Sequence, residues 1–175
     1  MLNEIVTDVC KKLDETKIEY MLSGSVAMGI YVPSRNSLDV DVVINLKEED
    51  INSFINLFSK RYYMNPSTIR EEVKSKGMFN IIDNRSAFKV DFLILKNSEY
   101  RRHEFDRKYK VNFLGTEIWA VSIEDLILSK LIWIQELESD MQKRDIASLL
   151  QYKPIDFNYL SQWITKLQLN TYNLL

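Results

Sequence analysis

SGSVAMGIYVPSRNSLDVDVVI, residues 23–44, is the stretch that decides the fold. The segment before it, IEYML at 18–22, favours a short buried strand. Its small residues 23–25 favour a tight turn, and the residues after them lack strand alternation, which favours a helix. After a polar loop, two aspartates alternate with valines and the run then becomes wholly apolar, as in a strand that enters a core. The predicted order is strand, turn, helix, strand.

The two aspartates of this second strand are candidate metal ligands. Asp39 and Asp41 are two residues apart, so their side chains leave the same face of the strand about 6.5 to 7 Å apart. Asp91, in AFKVDFLIL at 87–95, lies on another predicted strand and could complete a two-metal site. Mg²⁺ prefers such oxygen ligands. In a purely structural interpretation, Lys89 shares a face with Asp91 and pairs with it.

The turn at Gly24 and Ser25 is a candidate phosphate site. A helix that begins there would present unpaired backbone N–H groups and the positive end of its dipole. Glycine allows close approach of a phosphate, and the Ser25 hydroxyl adds a donor. The alternative is an ordinary helix cap formed by Ser23 or Ser25.

The rest of the chain predicts an α/β (or α+β) fold, with a small mixed sheet of about five strands flanked by helices and a C-terminal helical part. We expect an α/β core at 1–121 and helices packed on it at 122–175. Helical periodicity or start signals occur at 3–15, 48–61, from Pro66 onward, 123–134, 139–150 and 156–168. Further strands are predicted at 78–83 and 87–95, as an antiparallel pair, and at 109–115 and 116–122.

Composition sets limits on function. With 175 residues, 46% of them hydrophobic, the chain can bury one substantial core. A net charge of −2 gives no general attraction to nucleic acid. Cys10 is the only cysteine, so an internal disulfide is excluded and a core position is expected. The sequence lacks a secretory signal pattern and a long apolar run, so we expect a cytoplasmic protein without a membrane partner.

SGSVAMGIYVPSRNSLDVDVVI, together with Asp91 in KVDFLIL, resembles the Gly-Ser, spacer, Asp-x-Asp signature of the polymerase-beta-like nucleotidyltransferase superfamily. With SIEDLILSKL and KRDIASLL downstream, the resemblance covers roughly residues 18–150, and these segments are similar to the smaller bacterial branch that includes AbiEii-type toxin transferases and related uncharacterised proteins.

The resemblance implies a two-metal Mg²⁺ site held by Asp39, Asp41 and Asp91, and a nucleoside triphosphate as substrate. Its implied nucleotide-binding residues are Gly24, Ser25, Arg35 and Lys130. For Arg35, a structural ion pair with a carboxylate remains an alternative. For Lys130, an ordinary position on an amphipathic helix remains an alternative. The acceptor stays open between RNA, a protein and a small molecule, and an antitoxin protein is a candidate partner.

Two other classes of function remain open. The first is a catalytically inactive relative that serves as a binding or regulatory module. The second is nucleic-acid binding without catalysis, through RRHEFDRKYK at 101–110, which has five Lys or Arg residues. A solvated charged face also explains that segment, and it contains the sole histidine, His103, for which a surface role is expected.

Overall fold

A computed structural model of the protein describes residues 1–33 and 39–175. These residues form eight α-helices and seven strands. The helices are α1 Leu2–Glu15, α2 Gly24–Tyr31, α3 Ile51–Phe58, α4 Pro66–Ser75, α5 Glu99–Asp106, α6 Ile123–Glu136, α7 Asp140–Leu149 and α8 Phe157–Leu167. The strands are β1 Tyr20–Ser23, β2 Asp39–Ile44, β3 Tyr62–Tyr63, β4 Met78–Asp83, β5 Lys89–Ile94, β6 Tyr109–Phe113 and β7 Thr116–Ala120.

The strands form one mixed sheet in the order β3-β4-β5-β2-β1-β7-β6. The neighbours β2 and β5 are parallel, as are β1 and β7, and the other pairs are antiparallel. The predicted mixed sheet with flanking helices is therefore confirmed. Its size was underestimated, because the described residues contain seven strands instead of about five. The two-residue strand β3 is too short to give a recognisable alternation.

Alternation along β2 and β5 places one face of each strand in the core. Val40 and Val42 are fully buried, as are Val90 and Phe92 on the neighbouring strand. Helix α3 supplies Phe54, whose ring lies 5.2 Å from the Phe92 ring between centroids in an edge-to-face contact. Such aromatic contacts add to the apolar area buried, so this face fixes the position of both strands.

Helix α1 buries one apolar stripe, which includes Cys10 with 0% exposure, as its sequence predicted. Close to this helix, Arg61 forms ion pairs with Glu4 and Asp8 and donates from Nε to Asp83 Oδ1 at 2.7 Å. Tyr62 donates its hydroxyl proton to Asp8 Oδ2 at 2.7 Å. Through Arg61 and Tyr62, these contacts link α1 to strand β3 and to the last residue of β4.

The chain divides into two compact units. The first contains Met1–Ala27 and the described residues of Arg35–Val121; the second contains the described residues of Met28–Ser34 and Ser122–Leu175. In the second unit, the predicted helix start at Ser122 is confirmed, since its Oγ accepts from the Asp125 backbone N–H at 3.2 Å. The packing of the C-terminal helices on the 1–121 core stays a prediction. Among the described helices, none combines the length and apolar character needed to cross a membrane.

Candidate active site

Strand register places four polar residues side by side across the first unit's sheet. Ser23 on β1 is opposite Asp41 on β2, and Asp41 is opposite Asp91 on β5. Asp91 is in turn opposite Asn80 on β4. Paired residues on neighbouring strands lie on the same face, about 5 Å apart. The structure therefore places Asp41 and Asp91 on neighbouring strands and adds Asn80, which is exposed.

Gly24, the first residue of α2, lies against the Asp41 carboxylate. A Cβ atom placed on Gly24 would be 1.9 Å from Asp41 Oδ2 and 2.8 Å from Asp41 Cβ. Its φ of +63° is also in the left-handed region, which favours glycine. The glycine is thus required both by its backbone conformation and by the closeness of the carboxylate. The beginning of α2 and the aspartate strand share one site, which fits a negative group near a helix N-terminus.

Asp91 is a buried carboxylate that forms an ion pair with Lys89. Its residue is 6% exposed, and Lys89 Nζ lies 2.9 Å from its Oδ2. Its other oxygen, Oδ1, is buried and has no hydrogen-bond partner among the described residues. A buried oxygen without a partner costs free energy, which a cation or a water molecule could recover.

Lys89 contacts a second carboxylate of the cluster. Its Nζ lies 3.8 Å from Asp39 Oδ1, on the residue opposite it across the parallel pair. The hydrogen bond with Asp91 raises the pKa of Lys89 against the effect of partial burial, and the charges of Asp91, Asp39 and Asp41 raise it further. Lys89 therefore forms ion pairs with two of the three clustered carboxylates, Asp91 and Asp39.

The donor set suits a hard divalent cation, which prefers carboxylate oxygens. Asp91 Oδ1 could coordinate such a cation, because this oxygen has no hydrogen-bond partner among the described residues. As the side chains stand, no three acidic, cysteine or histidine residues within 1–33 and 39–175 are gathered closely enough to hold a metal ion. Binding of a metal would therefore require the carboxylates to reorient. The assignment of Asp39, Asp41 and Asp91 as metal ligands stays a prediction.

The other predicted nucleotide-binding residues have different surroundings. Ser25 follows Gly24 in α2 and is 7% exposed. Arg35 lies outside the described residues. Lys130 belongs to the second unit, where its Nζ donates to Asp145 Oδ2 and to Gln142 Oε1, both at 2.8 Å. The roles of Ser25, Arg35 and Lys130 in nucleotide binding stay predictions.

The first residues of the basic segment at 101–110 lie in α5. Most of the cationic side chains of the segment have a polar partner. Arg101 pairs with Glu104 at 2.8 Å, and Arg102 Nη2 donates to Asn97 Oδ1 at 2.6 Å. The lysines also pair with acidic residues, Lys108 with Glu19 at 3.7 Å and Lys110 with Glu117 at 3.2 Å. Phosphate contacts would compete with these ion pairs, so the segment offers less free positive charge than its sequence suggests.

Two features of the site could not be predicted in full from the sequence. The pairing of Lys89 with Asp91 was considered, but its second contact, with Asp39, depends on the parallel register of β2 and β5. Asn80 gave no signal of its own, because its position next to Asp91 depends on the β4–β5 register. The alternation of apolar residues in MFNIID indicates that Asn80 lies on the strand face opposite the core. The polar residues of a partner strand would lie on that same face.

Solved structures share this fold. An antigenic nucleotidyltransferase-like protein from Paracoccidioides brasiliensis is 19% identical, with a TM-score of 0.63 over 95% of this chain and 86% of that one. The antibiotic-resistance factor ANT(2'')-Ia is 10% identical, with a TM-score of 0.67 over 95% and 91%. The lincosamide antibiotic adenylyltransferase LnuA, with lincomycin bound, is 10% identical, with a TM-score of 0.52 over 81% and 92%. At these identities, the likeness shows the fold.

Comparison with curated protein sequences found no match. A family profile, however, matches residues 1–175 and carries the description "nucleotidyltransferase of unknown function". The resemblance to AbiEii-type toxin transferases within the wider superfamily is not confirmed and stays a prediction. Since the profile match extends over the whole chain, the protein belongs to this nucleotidyltransferase family, DUF6036.

Proposed function

We propose that this nucleotidyltransferase is an active, Mg²⁺-dependent enzyme that transfers a nucleoside monophosphate from a nucleoside triphosphate to an acceptor hydroxyl. One observation carries the proposal: Asp41 lies opposite Asp91 in the sheet and against the Gly24 backbone at the start of α2. A carboxylate pair and a helix N-terminus in one place suit a metal and a phosphate chain, respectively.

The reaction breaks a phosphoanhydride bond of the nucleoside triphosphate and forms a phosphate ester bond to the acceptor. The acceptor oxygen forms a bond to the α-phosphorus, the bond from that phosphorus to the bridging oxygen of the β-phosphate breaks, and pyrophosphate leaves with that oxygen. The acceptor hydroxyl gives its proton to water. Bound Mg²⁺ would neutralise phosphate charge and lower the pKa of the acceptor hydroxyl.

The residues of this chain would mainly position the reactants. Asp39, Asp41 and Asp91 would hold Mg²⁺, since Asp41 is opposite Asp91 and Asp39 lies two residues before Asp41 on the same face of β2. The beginning of α2, at Gly24 and Ser25, would orient the β- and γ-phosphates. Positioning and preorganised charge supply much of the rate of such transfers, so small displacements of these residues should be costly.

A small-molecule hydroxyl is the acceptor that we favour over RNA and over a protein side chain. The pairing of Arg101, Lys108 and Lys110 with acidic residues leaves less positive charge for a polyanion. Among the proteins of similar fold, LnuA is a lincosamide antibiotic adenylyltransferase, which is an enzyme with a small acceptor. An antitoxin partner would fit the AbiEii-type resemblance and remains a secondary proposal.

Calorimetric titration with each of the four nucleoside triphosphates, with and without Mg²⁺, tests the proposal. The wild type should bind at least one of them in a Mg²⁺-dependent manner. Asp41→Asn should abolish this binding, whereas Asp106→Asn, a matched change at the exposed end of α5, should retain it. Absence of Mg²⁺-dependent binding in the wild type would contradict the enzyme proposal.

A turnover assay then separates the acceptors. Pyrophosphate release is measured with hydroxylated small molecules, including a lincosamide, and with RNA, using Asp41→Asn as the blank. We expect release with a small molecule. Release with RNA alone would contradict the proposed acceptor class but retain the enzyme.

A catalytically inactive binding module is the second candidate function. It is favoured by the absence of a ready-made three-ligand metal cluster among the described residues and by the contacts of Lys89 with Asp91 and Asp39. This function predicts nucleotide binding without turnover, or binding that does not depend on Mg²⁺. The same calorimetric and pyrophosphate measurements therefore distinguish the two candidates.

A further inference from the structure

Lys89 is in direct contact with two carboxylates of the candidate site. Its Nζ is 2.9 Å from Asp91 Oδ2 and 3.8 Å from Asp39 Oδ1. We propose that Lys89 is an internal counter-ion, which holds these carboxylates before a divalent metal binds and withdraws from Asp91 when the metal arrives. This inference rests on the proposed function, since it concerns the same metal site.

The charges of the cluster support competition between lysine and metal. The Lys89 ammonium and a divalent cation would both be attracted to the same carboxylates, Asp91 and Asp39. Asp91 is 6% exposed and thus cannot rely on water to screen its charge. A buried carboxylate without a counter-ion is strongly destabilising, so some cation is needed at Asp91 throughout.

Distances show why lysine and metal would exclude one another. The two distances from Nζ set the separation of Asp91 Oδ2 and Asp39 Oδ1 at no more than 6.7 Å. Oxygen ligands of Mg²⁺ lie about 2.1 Å from the ion, so two of them on one ion are at most about 4.2 Å apart. Because both are positive, an ammonium 2.9 Å from Asp91 Oδ2 and a divalent ion bound to the same carboxylate would repel one another, whichever carboxylate oxygen the metal used.

Lys89 can withdraw without a change in the fold. Its side chain is 38% exposed, and a lysine has a flexible four-carbon stem with a compact charge. The opposite Asp39 side chain is 49% exposed, so it can also reorient toward solvent or metal. Asp91 is the fixed member of the cluster, since its residue is buried and its strand is held in the core.

Titration of Mn²⁺ alone, with free Mn²⁺ measured by electron paramagnetic resonance, tests the proposal. Lys89→Met should bind Mn²⁺ at least about tenfold more tightly than the wild type, because a competing positive charge is removed. Lys89→Gln provides a second variant without the charge, and Lys89→Arg should resemble the wild type. Lys110→Met is the matched control, since it removes the same charge from a lysine that pairs with Glu117.

Thermal unfolding provides a second measurement. Without metal, Lys89→Met should have a lower Tm than the wild type because Asp91 loses its counter-ion. Saturating Mn²⁺ should raise the Tm of Lys89→Met by more than that of the wild type. The double variant Lys89→Met/Asp91→Asn should recover stability without metal and lose the gain in Mn²⁺ affinity.

The outcomes separate this inference from the proposed function. Wild-type Mn²⁺ binding with equal or weaker binding by Lys89→Met and Lys89→Gln would overturn the counter-ion role alone, and Lys89 would then have a structural role. No Mn²⁺ binding by any variant, with or without nucleotide, would overturn both the counter-ion role and the metal-dependent function. Tighter binding by both neutral variants, with Lys110→Met unchanged, would support the counter-ion role.

Discussion

Replacement of Gly24 by alanine offers the sharpest test of the geometry at the start of α2. The new Cβ would lie 1.9 Å from Asp41 Oδ2, 2.6 Å from its Cγ and 2.8 Å from its Cβ. Rotation of the carboxylate can move Oδ2 and Cγ away, but it leaves Asp41 Cβ where the strand holds it. The backbone of α2 or β2 must therefore shift as well.

Gly115 is a matched control for the backbone conformation. It has a φ of +84°, also in the left-handed region, but a Cβ placed there would meet nothing within 4 Å. Alanine in the left-handed region costs about 1 to 2 kcal/mol at either position. Overpacking against Asp41 adds about 1 to 3 kcal/mol to the cost for Gly24→Ala only.

Urea unfolding followed by circular dichroism measures this difference. Gly24→Ala should lose at least about 1 kcal/mol more stability than Gly115→Ala. Under the proposed function, Gly24→Ala should also lose about 100-fold in nucleotide turnover, because a displacement of about 1 Å at the reacting groups has that effect. Equal unfolding free energies for the two variants would refute the argument that Gly24 is needed for the close approach of Asp41.

Three further predictions concern stability and reactivity. Burial would raise the pKa of Asp83, but hydrogen bonds, including one from Arg61, hold this pKa below its ordinary value. The stability that ionised Asp83 contributes to the fold is therefore complete above about pH 4 and is lost as the pH falls through the lowered pKa. Arg61→Met should therefore cost about 3 to 5 kcal/mol in urea unfolding at pH 7 and flatten the acid denaturation curve, whereas an unchanged midpoint would contradict the role of this pair. Burial raises the pKa of the Cys10 thiol to about 12, so a disulfide reagent at pH 8 should label unfolded protein but not native protein. Ser122→Ala removes the cap of α6 and should lower the unfolding free energy by about 1 kcal/mol, and equal urea midpoints would argue against the cap.

Local patterns were sufficient to predict most elements of the fold. The alternation around Asp39 and Asp41 gave strand β2, and the capping residues Ser122 and Ser139 gave the starts of α6 and α7. The predicted helix at 48–61 is instead a 3₁₀ turn at Glu48–Asp50 followed by the shorter α3. Hydrophobic periodicity locates such a segment better than it locates its ends.

The site itself could be predicted only in part, because its contacts cross between strands. The sequence indicated which face Asp91 and Lys89 share, since that follows from the period of two. It could not give the parallel register that places Lys89 opposite Asp39. Nor could it show that Lys130 would bind Asp145 and Gln142, because that contact depends on how α6 packs against α7.

The carboxylates are held together by the opposite, apolar face of the same strands. Val42 and Phe92 are opposite one another in the β2–β5 pair, and both are fully buried. A slip of one residue would place Asp41 or Asp91 in the core and expose these side chains, so packing fixes the register. The adjacent carboxylates repel one another, and the core supplies the free energy that keeps them there. A cation at this position therefore relieves a repulsion that the fold imposes, whether that cation is Lys89 or a bound metal.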